Sequence, residues 1–155
     1  MIAAPPAMLR ATAMPDTALV LFACVHTAGR SQMAAALFNH LCDPGKARAL
    51  SAGTAPGPHV HPEVLTAMRE LGIDLARATP QKLTPALAQG CALLITMGCG
   101  EACPYLPGVE IRDWPLEDPK GKPIERVRQI RGEVEQRVRA LLLERGWLRA
   151  TAAQA

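Results

Sequence analysis

The segment Ala18–Cys24 (ALVLFAC) is an unbroken apolar run of strand length, closed by the polar, glycine-containing stretch VHTAGRS. A run this short with no polar alternation fits a strand buried on both faces, the usual state of strands in a parallel sheet covered by helices. After the loop at 25–30, Ser31–Leu41 carries Met33, Ala36, Leu37 and Leu41 at helical spacing, opened by a serine able to cap it. The order is therefore strand, tight loop, helix.

The same alternation continues along the chain. Ala47–Ala52 reads as a second strand ending at Gly53, APGPHVHP as a loop, and Glu63–Leu71 as a helix whose Val64, Leu65, Met68 and Leu71 share one face before Gly72 stops it. A short helix is predicted over Leu83–Gln89, a third buried strand over Leu93–Met97 and a fourth over Val109–Arg112. With three prolines and a glycine, segment 113–123 (DWPLEDPKGKP) is read as an irregular surface loop. From Ile124, the residues Ile124, Val127, Ile130, Val134, Val138, Leu141 and Leu142 recur at helical spacing, with Glu133/Arg137 and Glu135/Arg139 on the solvated side.

Strands alternating with helices predict a three-layer α/β/α sandwich with a mainly parallel four-stranded sheet and right-handed crossovers. One domain is expected over 18–148, with a flexible leader at 1–17 and a flexible alanine-rich tail at 149–155. Aromatics make up only 3% of the 155 residues and alanine supplies 27 of them. Small side chains on closely packed helices suit that composition better than an all-β sandwich does. The formal net charge of +3 is too mild to demand nucleic acid, and no apolar run of about 18 residues offers a membrane span. Five cysteines (Cys24, Cys42, Cys91, Cys99, Cys103) are an odd count for a disulfide framework, so the expected setting is cytoplasmic and some thiols chemical.

Ligands of open α/β sheets bind beyond the carboxyl ends of the strands, where the loop after Cys24 falls. Cys24-Val25-His26-Thr27-Ala28-Gly29-Arg30-Ser31 has the makings of an oxyanion cradle. Main-chain N–H groups of Val25, His26, Thr27, Ala28 and Gly29 can converge on a tetrahedral anion at a helix N-terminus, and Arg30 can add two parallel charged hydrogen bonds. The same field favours a thiolate at Cys24, and the Ser31 hydroxyl can donate to it. The bland alternative is that Cys24 is a small buried hydrophobe at a strand end.

CVHTAGRSQMA, with SAG at 51–53, ITMGCGEACP at 95–104 and DWPLEDP at 113–119, resembles the low-molecular-weight protein tyrosine phosphatase fold, and more closely its arsenate reductase branch, thioredoxin-coupled type. The resemblance implies that Cys24 attacks the oxyanion, Arg30 holds it and Ser31 assists the thiolate. Asp118, before Pro119, matches the general acid; a turn-forming aspartate is the plainer reading, and Asp113 is the runner-up acid. It implies arsenate reduction for arsenic detoxification, with phosphotyrosine or small aryl phosphate hydrolysis as the alternative and a thiol module that merely holds arsenite or a soft metal as a third reading.

Reduction needs a second thiol to attack the Cys24–arsenic adduct. Cys99, between two glycines, and Cys103 are the candidates for a relay from Cys24. At helical separation their Cβ atoms stand about 5–6 Å apart against the roughly 3.5–4.5 Å of a disulfide, so local rewinding would accompany oxidation. Such a disulfide suits thioredoxin as the external reductant. The alternative is direct attack by glutathione or mycothiol with a glutaredoxin-type partner. Packing is expected for Cys42 and Cys91.

Against the phosphatase, Lys120-Gly121 replaces the tyrosine pair that follows Asp-Pro in those enzymes, although Trp114 could supply an aromatic wall. The chain also departs from its relatives at Thr27, where asparagine is usual, and at Ala35 and Gln81, where potassium-binding members carry acids. No metal site, no bound cofactor and a monomer are the expectations.

Overall fold

A computed structural model describes residues 17–98 and 107–150. Its elements are β1 (Ala18–Cys24), α1 (Arg30–Leu41), β2 (Ala47–Gly53), α2 (Pro62–Arg69), α3 (Pro85–Gln89), β3 (Leu93–Thr96), β4 (Glu110–Asp113) and α4 (Ile124–Arg145). The four strands form one sheet in the order β2-β1-β3-β4, with every pairing parallel. The register sets Cys24 beside Gly53, Ala23 beside Thr96, and Thr96 beside Asp113. All the strands thus end on the same edge, and Cys24 is the last residue of a central one.

Alternation along β1 feeds two cores. Val20, Phe22 and Cys24 join residues of α1, α2 and α4 on one face, while Leu21 and Ala23 pack with Leu83, Ala88, Cys91 and Leu94 on the other. Phe22 is fully buried, its ring edge-on to Phe38 at 6.0 Å and tilted against Trp114 at 5.6 Å. The three-layer sandwich stands, with uneven layers: among the described residues the second face is covered by the five-residue α3 and the segments around it.

Several element ends differ from the sequence expectation for identifiable reasons. The short helix begins at Pro85, because Thr84 caps it by accepting the Leu87 N–H and Lys82 is drawn into a bridge with Gly53. The fourth strand is shifted one residue, to Glu110–Asp113, and the third stops at Thr96. Gly29, not Ser31, is the N-cap of α1, so the serine hydroxyl is free for other partners. On α4, Glu135 and Arg139 pair at 3.0 Å as expected, whereas the Arg137 guanidinium lies 6.0 Å from the Trp114 ring centroid. Trp114 is buried in the core, so it supplies no aromatic wall for a substrate, correcting that expectation. Most of the proposed leader and tail lies outside the described residues. No helix among the described residues is long and apolar enough to cross a membrane.

Candidate active site

The loop from Cys24 to Arg30 has every carbonyl engaged on its outer side. Cys24 O accepts from Thr54 N at 3.4 Å, Val25 O from Ala55 N at 2.8 Å, His26 O from Gly57 N at 2.9 Å, and Ala28 O from His61 N at 2.9 Å. Thr27 O accepts the Gln32 side-chain amide at 2.9 Å, and Gly29 O accepts Met33 N as α1 starts, at 3.0 Å. In a planar trans peptide the next residue's N–H points opposite to the carbonyl, and no peptide among the described residues is cis. The N–H groups of Val25 through Arg30 are therefore turned inward, and none has a partner among the described residues. Six unsatisfied donors at a helix N-terminus form a cradle of positive potential.

Arg30, the first residue of α1, supplies the charge. Its Nη1 donates to Leu116 O at 3.0 Å, and its Nη2 lies 3.8 Å from Asp118 Oδ2. Its Nε is buried without a hydrogen-bond partner among the described residues. A buried guanidinium N–H left unpaired costs free energy unless a ligand completes it, so this donor is the natural counterpart of an anion.

At the floor, Cys24 Sγ is 3.0 Å from Ser31 Oγ. Cys24 is 2% exposed and the thiol is free. Above, Asp118 is partly exposed and its Oδ1 accepts Lys120 N at 3.0 Å. The adjoining Pro119 rests on the cradle: a Cβ on Gly29 would lie 2.9 Å from its Cγ. Asp113 is held differently, accepting the Thr96 hydroxyl at 2.7 Å at the end of the sheet. Of the two candidate acids, Asp118 is the one paired with Arg30.

Segment 113–123 is irregular as predicted and firmly anchored. Trp114 and Leu116 are buried, Glu117 binds Arg126 and Lys122, and Glu63 accepts Gly121 N. Among the described residues, a pocket of about 470 Å³ beside the cradle is lined by His26, His59, His61 and Lys120 with small and proline residues. Burial pushes the His61 imidazole, at the head of α2, below its ordinary value. Sequence reasoning missed His61, Gly98 and the Leu116 carbonyl, since nothing local marks a residue brought in from another strand end. Ser51, part of the SAG motif but given no role by it, proves to be bonded to Ser31.

Thr27 has φ of +46°, a left-handed conformation that a β-branched residue rarely takes and asparagine tolerates. Ala35 and Gln81 line a second pocket of about 260 Å³ that has no carboxylate in its wall. Gln81 donates its amide N–H to Ser51 O at 3.1 Å. Cys99 and Cys103 lie outside the described residues. Cys42 and Cys91 are buried, bonded to main-chain carbonyls and remote from the cradle's hydrogen bonds.

The sequence profile described as low molecular weight phosphotyrosine protein phosphatase matches residues 19–152. The chain belongs to this family. Within the phosphatase family, its similarities run to reductases. A Halobacterium salinarum protein provisionally named an arsenate reductase is 40% identical over 121 residues, 76% of this chain and 85% of that protein. The glutaredoxin arsenate reductase of Synechocystis is 34% identical over 126 residues, 79% of this chain and 95% of that one. Among solved structures, the thioredoxin-dependent arsenate reductase of Corynebacterium glutamicum superposes with TM-score 0.74 at 36% identity, covering 89% of this chain and 66% of that chain.

Proposed function

We infer that the protein is an arsenate reductase, converting arsenate to arsenite at Cys24. The observation that supports this reading is that six N–H groups of the loop following Cys24, and the buried Nε of Arg30 at its end, have no partner among the described residues. The relatives named above support arsenate as the oxyanion.

In the proposed sequence, the Cys24 thiolate attacks arsenic, the cradle and Arg30 hold the developing charge, and Asp118 gives its proton to the departing oxygen, which leaves as water. The covalent intermediate is a Cys24–arsenate thioester. A second thiolate attacks the Cys24 sulfur; the electron pair of the S–As bond passes to arsenic, arsenite departs and a disulfide remains. The reductant is an external thiol, with Cys99 and Cys103 as the internal carriers and thioredoxin as the final donor. Attack by glutathione or mycothiol is the competing route.

Arsenite formation tests the whole scheme. Wild type should reduce arsenate with thioredoxin, thioredoxin reductase and NADPH far faster than it hydrolyses an aryl phosphate, and Cys24→Ser should be inactive. Turnover by Cys24→Ser near wild type removes the nucleophile assignment. Mass spectrometry after one turnover separates the routes: a Cys24–Cys99 or Cys99–Cys103 bond marks the relay, a small-thiol adduct the external attack. Asp118→Ala should slow formation of the Cys24 adduct with arsenate, and an unchanged single-turnover rate refutes its role as the acid.

A further inference from the structure

Beneath the anion cradle, three hydroxyls and one sulfur make four contacts, matched by four protons while Cys24 is a thiol and by only three once it has ionised. Ser31 Oγ lies 3.0 Å from Cys24 Sγ, 3.1 Å from Thr27 Oγ1 and 2.7 Å from Ser51 Oγ, and Thr27 Oγ1 is in short contact with Ser51 Oγ. All four residues are buried, which leaves no room for bulk water to supply a missing donor. The frame is fixed from behind: the Gln32 amide holds Thr27 O at 2.9 Å and the Gln81 amide holds Ser51 O at 3.1 Å. The ionisable groups around the loop are Arg30 on α1, Asp113 and Asp118 at and after β4, His26 on the loop and His61 at the head of α2. Among the described residues none of them hydrogen-bonds any of the three hydroxyls.

Each hydroxyl has one proton to donate, so the two protonation states of Cys24 demand different proton orders. With Cys24 a thiol, the hydroxyls close a ring, Ser51 to Ser31 to Thr27 to Ser51, and the thiol donates to Ser31. When the thiol proton leaves to solvent, Ser31 must turn its only proton to the sulfur. The order becomes linear, Thr27 to Ser51 to Ser31 to Cys24, and the bond from Ser31 to Thr27 is lost. Ionisation therefore sacrifices one neutral hydrogen bond in this chain. Thr27 stands at this point in spite of its left-handed backbone, and an outlier of that kind calls for a local reason.

We propose that Thr27 is a positioning residue that competes with Cys24 for the single proton of Ser31 and thereby sets the fraction of Cys24 ionised at a given pH. Ser51, from the neighbouring strand, closes the ring that makes the competition effective. The proposal rests on Cys24 being the nucleophile, but its readout is the ionisation of the thiol and not turnover. Failure here leaves the reductase reading intact, while failure of that reading appears as an active Cys24→Ser.

The experiment is the pH dependence of Cys24 alkylation by iodoacetamide, resolved by peptide mass spectrometry, in wild type, Thr27→Val, Thr27→Ser and Ser51→Ala. Losing one neutral hydrogen bond from the thiol state should move the midpoint of Thr27→Val down by up to about one pH unit, a gain of up to about tenfold in thiolate below the midpoint. Thr27→Ser keeps the hydroxyl and should match wild type. Ser51→Ala opens the ring from β2 and should also shift the midpoint downward, so the idea is tested even where Thr27→Val does not fold. In a Ser31→Ala background, Thr27→Val should have no effect. A midpoint unchanged or raised in the folded single variants, or a shift of the same size without Ser31, overturns the proposal.

Discussion

Replacing Gly98 by alanine should disable the site while leaving the sheet folded. Gly98 follows β3 with φ of +96°, and a Cβ built there lies 2.4 Å from Arg30 Nη1 and 3.3 Å from its Cζ. Ordinary carbon contacts begin near 3.4 Å, so the guanidinium must retreat by about 1 Å, away from its bond to Leu116 O and from the cradle. A charge-assisted hydrogen bond is worth about 1.5–3 kcal/mol. Losing one in the transition state lowers kcat/KM by roughly 10- to 150-fold at 1.36 kcal/mol per decade. The backbone strain adds a separate stability cost of about 1–3 kcal/mol, or a fall in Tm of roughly 2–10 °C for a domain of this size. Gly72→Ala supplies the control: its φ of +77° imposes comparable strain, but a Cβ there meets nothing within 4 Å. Arsenate-dependent NADPH oxidation through thioredoxin should therefore collapse in Gly98→Ala and persist in Gly72→Ala. A folded Gly98→Ala within threefold of wild type, or an equal loss in Gly72→Ala, refutes the placement of Arg30 as the anion's clamp.

Other expectations follow from the titrating groups. Burial pushes the Cys42 thiol up to about 11, and burial also raises Cys91. In native protein at pH 8, iodoacetamide should label Cys24 and spare both, whereas in urea all three should react; early labelling of Cys42 contradicts its packing. Glu70 joins α2 to α4 by accepting from Arg128 at 2.7 Å and Arg131 at 2.8 Å, and these hydrogen bonds hold its carboxyl down at about 2. Its folded value lies below the unfolded one, so its contribution is present at neutral pH and is lost as pH falls from about 4.5 toward 2. Glu70→Gln should lower Tm at pH 7, and the gap between the two proteins should narrow as pH falls below about 4.5 and close only toward pH 2; a gap that stays constant with pH rules out the ion pair as its source.

The alternation of strands and helices and the loop after Cys24 were legible because each depends on local chemistry. ALVLFAC has strand length and no polar break, and the Cys24-to-Arg30 spacing fits one loop at one helix start. Contacts between strand ends were not legible. The pairing of Asp118 with Arg30, and of Asp113 with Thr96, is set by how the loop after β4 folds back over the sheet, which periodicity does not encode. Ser31 is not the cap that a serine at a helix start suggests, but it keeps the expected contact with Cys24; its second partner, Ser51 on β2, was not legible. Trp114 sits in a segment rich in turn residues, which suggests access to a substrate, yet Phe22 gives it an apolar partner inside. The short helix lost two residues to a threonine cap and a bridge to β2.

The most direct measurement is a crystal structure of Cys24→Ser with arsenate bound. Its oxygens should lie within about 3.2 Å of the N–H groups of Val25 to Arg30, with Arg30 Nε donating to one of them and the hydroxyl introduced at position 24 facing arsenic opposite an oxygen near Asp118. Arsenate bound elsewhere, or a guanidinium turned out of the cradle with arsenate in place, contradicts the account.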